Sequence, residues 1–85
     1  MKISKEDILL LKNLYKQEAI TQLQSLTIKC IIDRELSKDG EQIIRRRLKR
    51  LLENELLAEG FKSKNSKTYY VTKIGMELIN NLKGE

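Results

Sequence analysis

The chain has 85 residues, with 17 Lys+Arg against 12 Asp+Glu and a formal net charge of +5. That length holds one domain with a small core, spanning residues 1–85. Histidine is absent and cysteine occurs once, which excludes His-ligated metal sites, His-based catalysis and a disulfide within the chain.

The N-terminus is charged within a few residues and lacks a signal h-region. No apolar run approaches the ~20 residues needed to span a bilayer. With Cys30 as the lone thiol, these features point to a reducing, cytoplasmic setting. A core this small is marginal alone, so a partner chain is expected to complete it.

In chain order, Ile3-Ser4-Lys5-Glu6-Asp7-Ile8 opens a helix. Ser4 is its N-cap, Asp7 stands where a capping box puts Glu or Gln, and Ile3 and Ile8 form a staple. Ile8, Leu11, Leu14 and Tyr15 recur at helical spacing and carry this helix to about residue 17. Leu9 and Leu10 add apolar surface beyond one stripe. Residues 18–26 have no decisive pattern: a helix extension, a short separate helix, or a loop with a brief strand all fit.

Ser25 or Thr27 caps a second helix, with Ile28, Ile31 and Ile32 on its inner side and Leu36 closing the turn. Ser37-Lys38-Asp39-Gly40 is turn chemistry, and Ser37 or Asp39 can cap the third helix. That helix runs from about 39 to 54, with Ile44, Leu48 and Leu51 as its inner stripe. At about 100° per residue, Gln42, Arg46, Lys49 and Glu53 point outward and Arg45 and Arg50 lie on the flanks. Arg47 leans towards the core side and covers it with its stem.

Leu56 to Ser63 then forms a strand, with Gly60 as a candidate bulge. Lys64-Asn65-Ser66 is a turn, and Lys67 to Val71 is the return strand. Tyr69 and Val71 share its core face, while Tyr70 faces the other way. Thr72 caps a last helix whose apolar stripe is Ile74, Leu78, Ile79 and Leu82. Lys73 decorates that helix. The order is helix, helix, helix, hairpin, helix: mainly α with a small β-hairpin, an α+β fold.

Charge is concentrated where this order places the third helix and the hairpin. Arg45, Arg46, Arg47, Lys49 and Arg50 fall between Gln42 and Leu52 with no acid among them. A second cluster, Lys62, Lys64, Lys67 and Lys73, falls between Lys62 and Ile74, again with no acid among them. Clustering of this kind is the electrostatic footprint of a polyanion. Paired carboxylates occur at Glu6/Asp7 and Glu53/Glu55, on what read as exposed helix ends. Without a Gly-rich phosphate loop, a nucleophile set or metal-ligand spacing, no enzymatic activity, cofactor or metal is expected.

Four short stretches carry a resemblance. They are Thr27-Ile28, Arg46-Arg47-Leu48-Lys49-Arg50-Leu51, Leu56-Leu57, and Tyr69-Tyr70-Val71-Thr72-Lys73-Ile74-Gly75-Met76-Glu77-Leu78. In this order the chain resembles the winged helix-turn-helix family over about residues 27 to 80. The likeness is to small MarR- and PadR-like bacterial regulators, and it extends to TubR-like partition adaptors. Two departures stand out. Glu35-Leu36 occupies the place where such proteins carry a glycine between the second and third helices. The turn from Ser37 to Gly40 is also one or two residues longer.

The resemblance implies that the third helix is a recognition helix for double-stranded DNA. Gln42, Arg45 and Arg46 are then placed to read bases, Gln pairing with adenine and Arg with guanine. Lys49 and Arg50 meet phosphate. Thr27 and Lys29 add a contact at the start of the second helix. Lys62, Lys64, Asn65, Ser66 and Lys67 form the wing on the backbone or minor groove. The implied protein is a homodimer, built on its first and last helices, that acts as a transcriptional repressor. No effector domain fits in the length, so control comes from a partner protein or from concentration. Two other readings stay open: a centromere-binding adaptor in plasmid or phage partition, and a winged-helix module whose basic face meets an acidic protein. RNA is disfavoured by the lack of exposed aromatic platforms.

Overall fold

A computed structural model of the chain describes residues 3–62 and 66–83. Its elements are α1 (Lys5–Lys16), a 3₁₀ turn (Gln22–Gln24), β1 (Leu26–Thr27), α2 (Ile28–Asp33), α3 (Glu41–Glu53), β2 (Leu57–Glu59), β3 (Thr68–Val71) and α4 (Lys73–Lys83). This is the expected order, with one addition. Residues 18–26 supply the 3₁₀ turn and a third strand, so the hairpin becomes a three-stranded antiparallel sheet ordered β1-β3-β2. Leu26 pairs with Tyr69 and Thr27 with Thr68. A two-residue strand is too short for any periodicity to announce it.

β2 and β3 pair without interruption, Leu57 with Val71, Ala58 with Tyr70 and Glu59 with Tyr69. The Gly60 N–H continues the ladder by donating to the Thr68 carbonyl at 3.0 Å. Gly60 is therefore not a bulge. A Cβ there would lie 2.4 Å from Ser25 Oγ, so glycine is needed for the close approach of the segment before β1.

Leu10, Leu11 and Leu14 of α1 meet Ile31 of α2, Ile44, Leu48 and Leu51 of α3, Tyr69 and Val71 of β3, and Ile79 of α4 in one buried cluster. The α3 stripe read from spacing packs whole, and Leu11, Leu14, Ile31 and Ile79 pack as read. Ile32 of α2 and Ile74 and Leu82 of α4, placed on inner stripes, are instead exposed, and Leu10 joins the core of α1. Caps define the helix starts. Ser4 and Asp7 form the complete capping box, Thr27 Oγ1 accepts from the Cys30 N–H at 3.1 Å, and Thr72 Oγ1 accepts from the Gly75 N–H at 3.1 Å. The start of α3 differs from expectation. Its N-cap is Gly40, with no side-chain cap bond. Asp39 instead accepts from Arg47 Nε at 2.8 Å, a charge-assisted bond that takes up the carboxylate.

The ends of α1, α2 and α3 share one device. Glu18, Glu35 and Glu55 have φ of 61°, 53° and 61°, the left-handed conformation. Behind each, the next residue closes a Schellman pair: Ala19 N–H to Leu14 O, Leu36 N–H to Ile31 O, and Leu56 N–H to Leu51 O. All six of those residues are buried, so apolar contact holds each reversal. Glu35 thus makes the reversal after α2 without a glycine. A left-handed non-glycine residue costs about 1–2 kcal/mol, and glycine gives back part of this through chain entropy. Glu35→Gly is expected to stabilise the fold by about 0.5–1 kcal/mol, read as a higher urea midpoint. An unchanged or lower midpoint would show that Glu35 is held by contacts that offset its strain.

Candidate nucleic-acid interface

The surface opposite the core stripe of α3 is polar and open. Gln42, Arg46 and Lys49, four and three residues apart, are all exposed there. Arg45 is also exposed, on the flank towards α2 and β3. Beside that flank lies a cleft of about 530 Å³, lined by Thr27, Ile28, Lys29 and Ile32 of the β1–α2 segment, Glu41 and Arg45 of α3, and Ser66, Lys67 and Tyr69 around β3. The β1–β3 pairing creates this proximity, because it sets Thr27 across from Thr68. Five residues proposed from sequence, Thr27, Lys29, Arg45, Ser66 and Lys67, therefore converge on one concavity. Lys62 is exposed but is not part of its wall. Lys64 and Asn65 lie outside the described residues.

Two of the α3 arginines are tied to acids outside the helix. Arg47 Nη1 donates to Asp7 Oδ1 at 3.1 Å and Arg47 Nε to Asp39 Oδ2 at 2.8 Å. Its side chain is 13% exposed, so it is an ion-paired strut rather than a stem draped over the core. Arg50 donates through Nε to Asp7 Oδ2 at 2.8 Å and through Nη2 to Asp7 Oδ1 at 3.0 Å. Its side chain is still 41% exposed, which leaves it within reach of solvent while tied to α1.

Asp7 is the surprise. Glu6, Glu53 and Glu55 are exposed, as the sequence suggested, but Asp7 is fully buried. Burial by itself raises its pKa. Hydrogen bonds from Arg50, the Ser4 N–H and Arg47 outweigh that and hold the carboxyl at about 2. The carboxylate stays charged at neutral pH and clamps α3 to the start of α1. A partial sequence signal did exist: an acid at a capping-box position, in a chain whose Arg47 leans towards the core side of the third helix.

The long turn before α3 is fastened as well. Asn13 Nδ2 donates to Leu36 O at 2.7 Å, and the Asp39 N–H donates to Ser37 Oγ at 3.2 Å. With Asp39 bound to Arg47, the extra length gives a braced loop. α3 is thus tied through Arg47 and Arg50 to Asp7 and through Arg47 to Asp39.

Glu41, Ile28, Ile32 and Tyr69 are lining residues that sequence reasoning did not assign to the interface. Glu41 accepts both Arg45 Nε and Nη2 on its Oε2, at 3.1 and 3.0 Å. Their i,i+4 spacing was readable, but the cleft was not. Among the described residues no group of acids, Cys or His is placed to hold a metal ion, and no helix is long and apolar enough to cross a membrane.

No protein-family model matches the chain. It is similar to the DNA-binding protein TubR of Clostridium botulinum C phage, 30% identical over 82 residues that span 96% of this chain and 99% of the relative. Two solved structures share its fold. TubR from Bacillus megaterium pBM400 aligns over 99% of this chain and 90% of its own length with a TM-score of 0.83, at 19% identity. The solution structure of the DNA-binding TubR fragment from Clostridium botulinum aligns over 96% and 99% with a TM-score of 0.74, at 31% identity.

Proposed function

The chain belongs to the TubR family, and from that premise we propose that it is a double-stranded DNA-binding adaptor of a DNA partition system. One observation carries the DNA contact: Thr27, Lys29, Arg45, Ser66 and Lys67 meet around a single cleft beside the exposed face of α3. A convex helix face bordered by a cationic concavity suits a duplex, with the helix in the major groove and the flanking cations on phosphates. Gln42, Arg45 and Arg46 read bases. Lys49 meets phosphate, and Arg50 does so with the part of its guanidinium not given to Asp7. Lys62, Lys64, Asn65, Ser66 and Lys67 form the wing. Thr27 and Lys29 contact the backbone at the start of α2.

The relatives favour partition over repression. Both the sequence relative and the solved structures are named TubR, and we read this chain as an adaptor that coats clustered repeats and recruits a second protein. Repression remains a reading for a chain whose sites lie singly at promoters. A dimer fits either purpose, because one small module makes few base contacts and two read two half-sites. Leu9 of α1 and Ile74 and Leu82 of α4 are exposed at 59%, 46% and 36%, which supports α1 and α4 as the dimer surface.

Fluorescence anisotropy with two variants tests the interface. Arg46→Ala is expected to lose about 1–3 kcal/mol of discrimination between a selected site and a scrambled duplex. Lys67→Ala is expected to weaken binding to both duplexes alike and to flatten the salt dependence by about one unit of slope. If both variants bind like the parent at every salt concentration, the α3–wing surface is not the DNA interface.

A further inference from the structure

Glu41, the one acid among the described residues that wall the cleft, is unexpected on a surface meant for a polyanion. We propose that Glu41 is a specificity determinant: its carboxylate accepts from the N4 amino group of a cytosine, and it aims Arg45 at a guanine within one base-pair step. This rests on the DNA-binding reading above.

Glu41 begins α3, directly after Gly40, and faces the cleft with Lys29, Arg45 and Lys67. Side-chain exposure is 55% for Glu41 and 60% for Arg45, so both reach solvent and a ligand. Arg45 Nε and Nη2 converge on Oε2 alone. Oε1 accepts no hydrogen bond from the described residues. The guanidinium has five N–H groups, and those not spent on Oε2 remain to donate.

Chemistry then narrows the partner. A carboxylate repels phosphate, so Glu41 weakens contact with any duplex that offers it no donor. On the major-groove edge the donors are the amino groups of cytosine and adenine, and the carboxylate pairing is with cytosine N4. Arg45 is oriented by the same carboxylate and donates to guanine O6 and N7. The pair thereby reads opposite faces of the donor–acceptor code with two residues one helical turn apart. The bland alternative is an exposed i,i+4 ion pair that supports the helix start and does nothing else.

Selection from a random-duplex library, using the purified full chain and its Glu41→Gln and Glu41→Ala variants, separates these. Circular dichroism confirms that each variant is folded. The parent is expected to select a motif holding a cytosine next to an Arg45-dependent guanine, with the guanine lost in Arg45→Ala. Both Glu41 variants are expected to relax the cytosine about tenfold and to bind an unrelated duplex about threefold more tightly at low salt. If the variants keep the parent's cytosine preference, or bind the unrelated duplex no better, Glu41 serves only the helix and the proposal is overturned. A parent that selects no sequence at all overturns the DNA-binding reading as well, and the proposal with it.

Discussion

Asp7→Ala is expected to lower the unfolding free energy by about 3 kcal/mol, because it leaves two arginines without their shared carboxylate. The lower end of the usual range applies here. Arg50 reaches solvent, and Arg47 keeps Asp39 as a partner. The capping box is lost in the same step, since the Ser4 N–H donates to Asp7 Oδ2 at 3.1 Å. For a domain of this size, with total stability on the order of 4–13 kcal/mol, that is a large share. Urea unfolding followed by circular dichroism measures it directly. A loss below about 1 kcal/mol would mean that the buried pair is energetically neutral.

The same carboxyl predicts an acid limb. Its pKa is depressed from 3.8 to about 2, so the unfolded chain binds the proton more readily than the folded one. The contribution is fully present above about pH 4, falls as the pH drops through the folded value, and is gone below it. It amounts to about 2 kcal/mol. Asp7→Asn, which keeps the volume, should be less stable at neutral pH and should lack this component between about pH 4 and pH 2. Parallel parent and variant curves over that window would remove Asp7 as its source.

Gly75→Ala is the second large effect, expected to cost about 3 kcal/mol. A Cβ at this position would lie 2.4 Å from the Leu56 carbonyl oxygen and 2.9 Å from Val71 Cγ1. The first obstacle is main chain and cannot rotate away. Relief requires the first turn of α4 to lift off the α3–β2 junction. That strains the Thr72 N–H bond to Leu56 O at 3.1 Å and the Thr72 Oγ1 bond to Glu55 O at 2.6 Å. A loss of this size lowers the melting temperature by more than about 10 °C in a small domain. A shift under about 3 °C would show that α4 adjusts freely, contrary to the packing described.

What the sequence disclosed was periodic or chemical. Ile44, Leu48 and Leu51 announced the inner face of α3, Thr27 and Thr72 announced their caps, and the Tyr69/Val71 alternation announced the core face of β3. The run from Arg45 to Arg50 announced a basic helix but not which arginines were free. Arg47 and Arg50 bond to Asp7, which is 40 and 43 residues away in the chain, and no local pattern encodes such a pairing. Glycine was a misleading guide to reversals. Glutamates at 18, 35 and 55 take the left-handed turns, because buried pairs such as Ile31 with Leu36 impose them. β1 exists only through its partner β3. The cleft arose from that pairing, so Glu41 acquired its position from a contact that sequence spacing does not show.

In the proposed function, α3 and the neighbouring wing bind clustered DNA sites. Genomic-fragment selection with the purified protein at about physiological salt, where non-specific binding is weak, tests it most directly. Enrichment of one locus that carries short repeats in tandem is the expected result. Recovery of no DNA above background would contradict it, and single palindromes at scattered promoters would replace the partition role with repression.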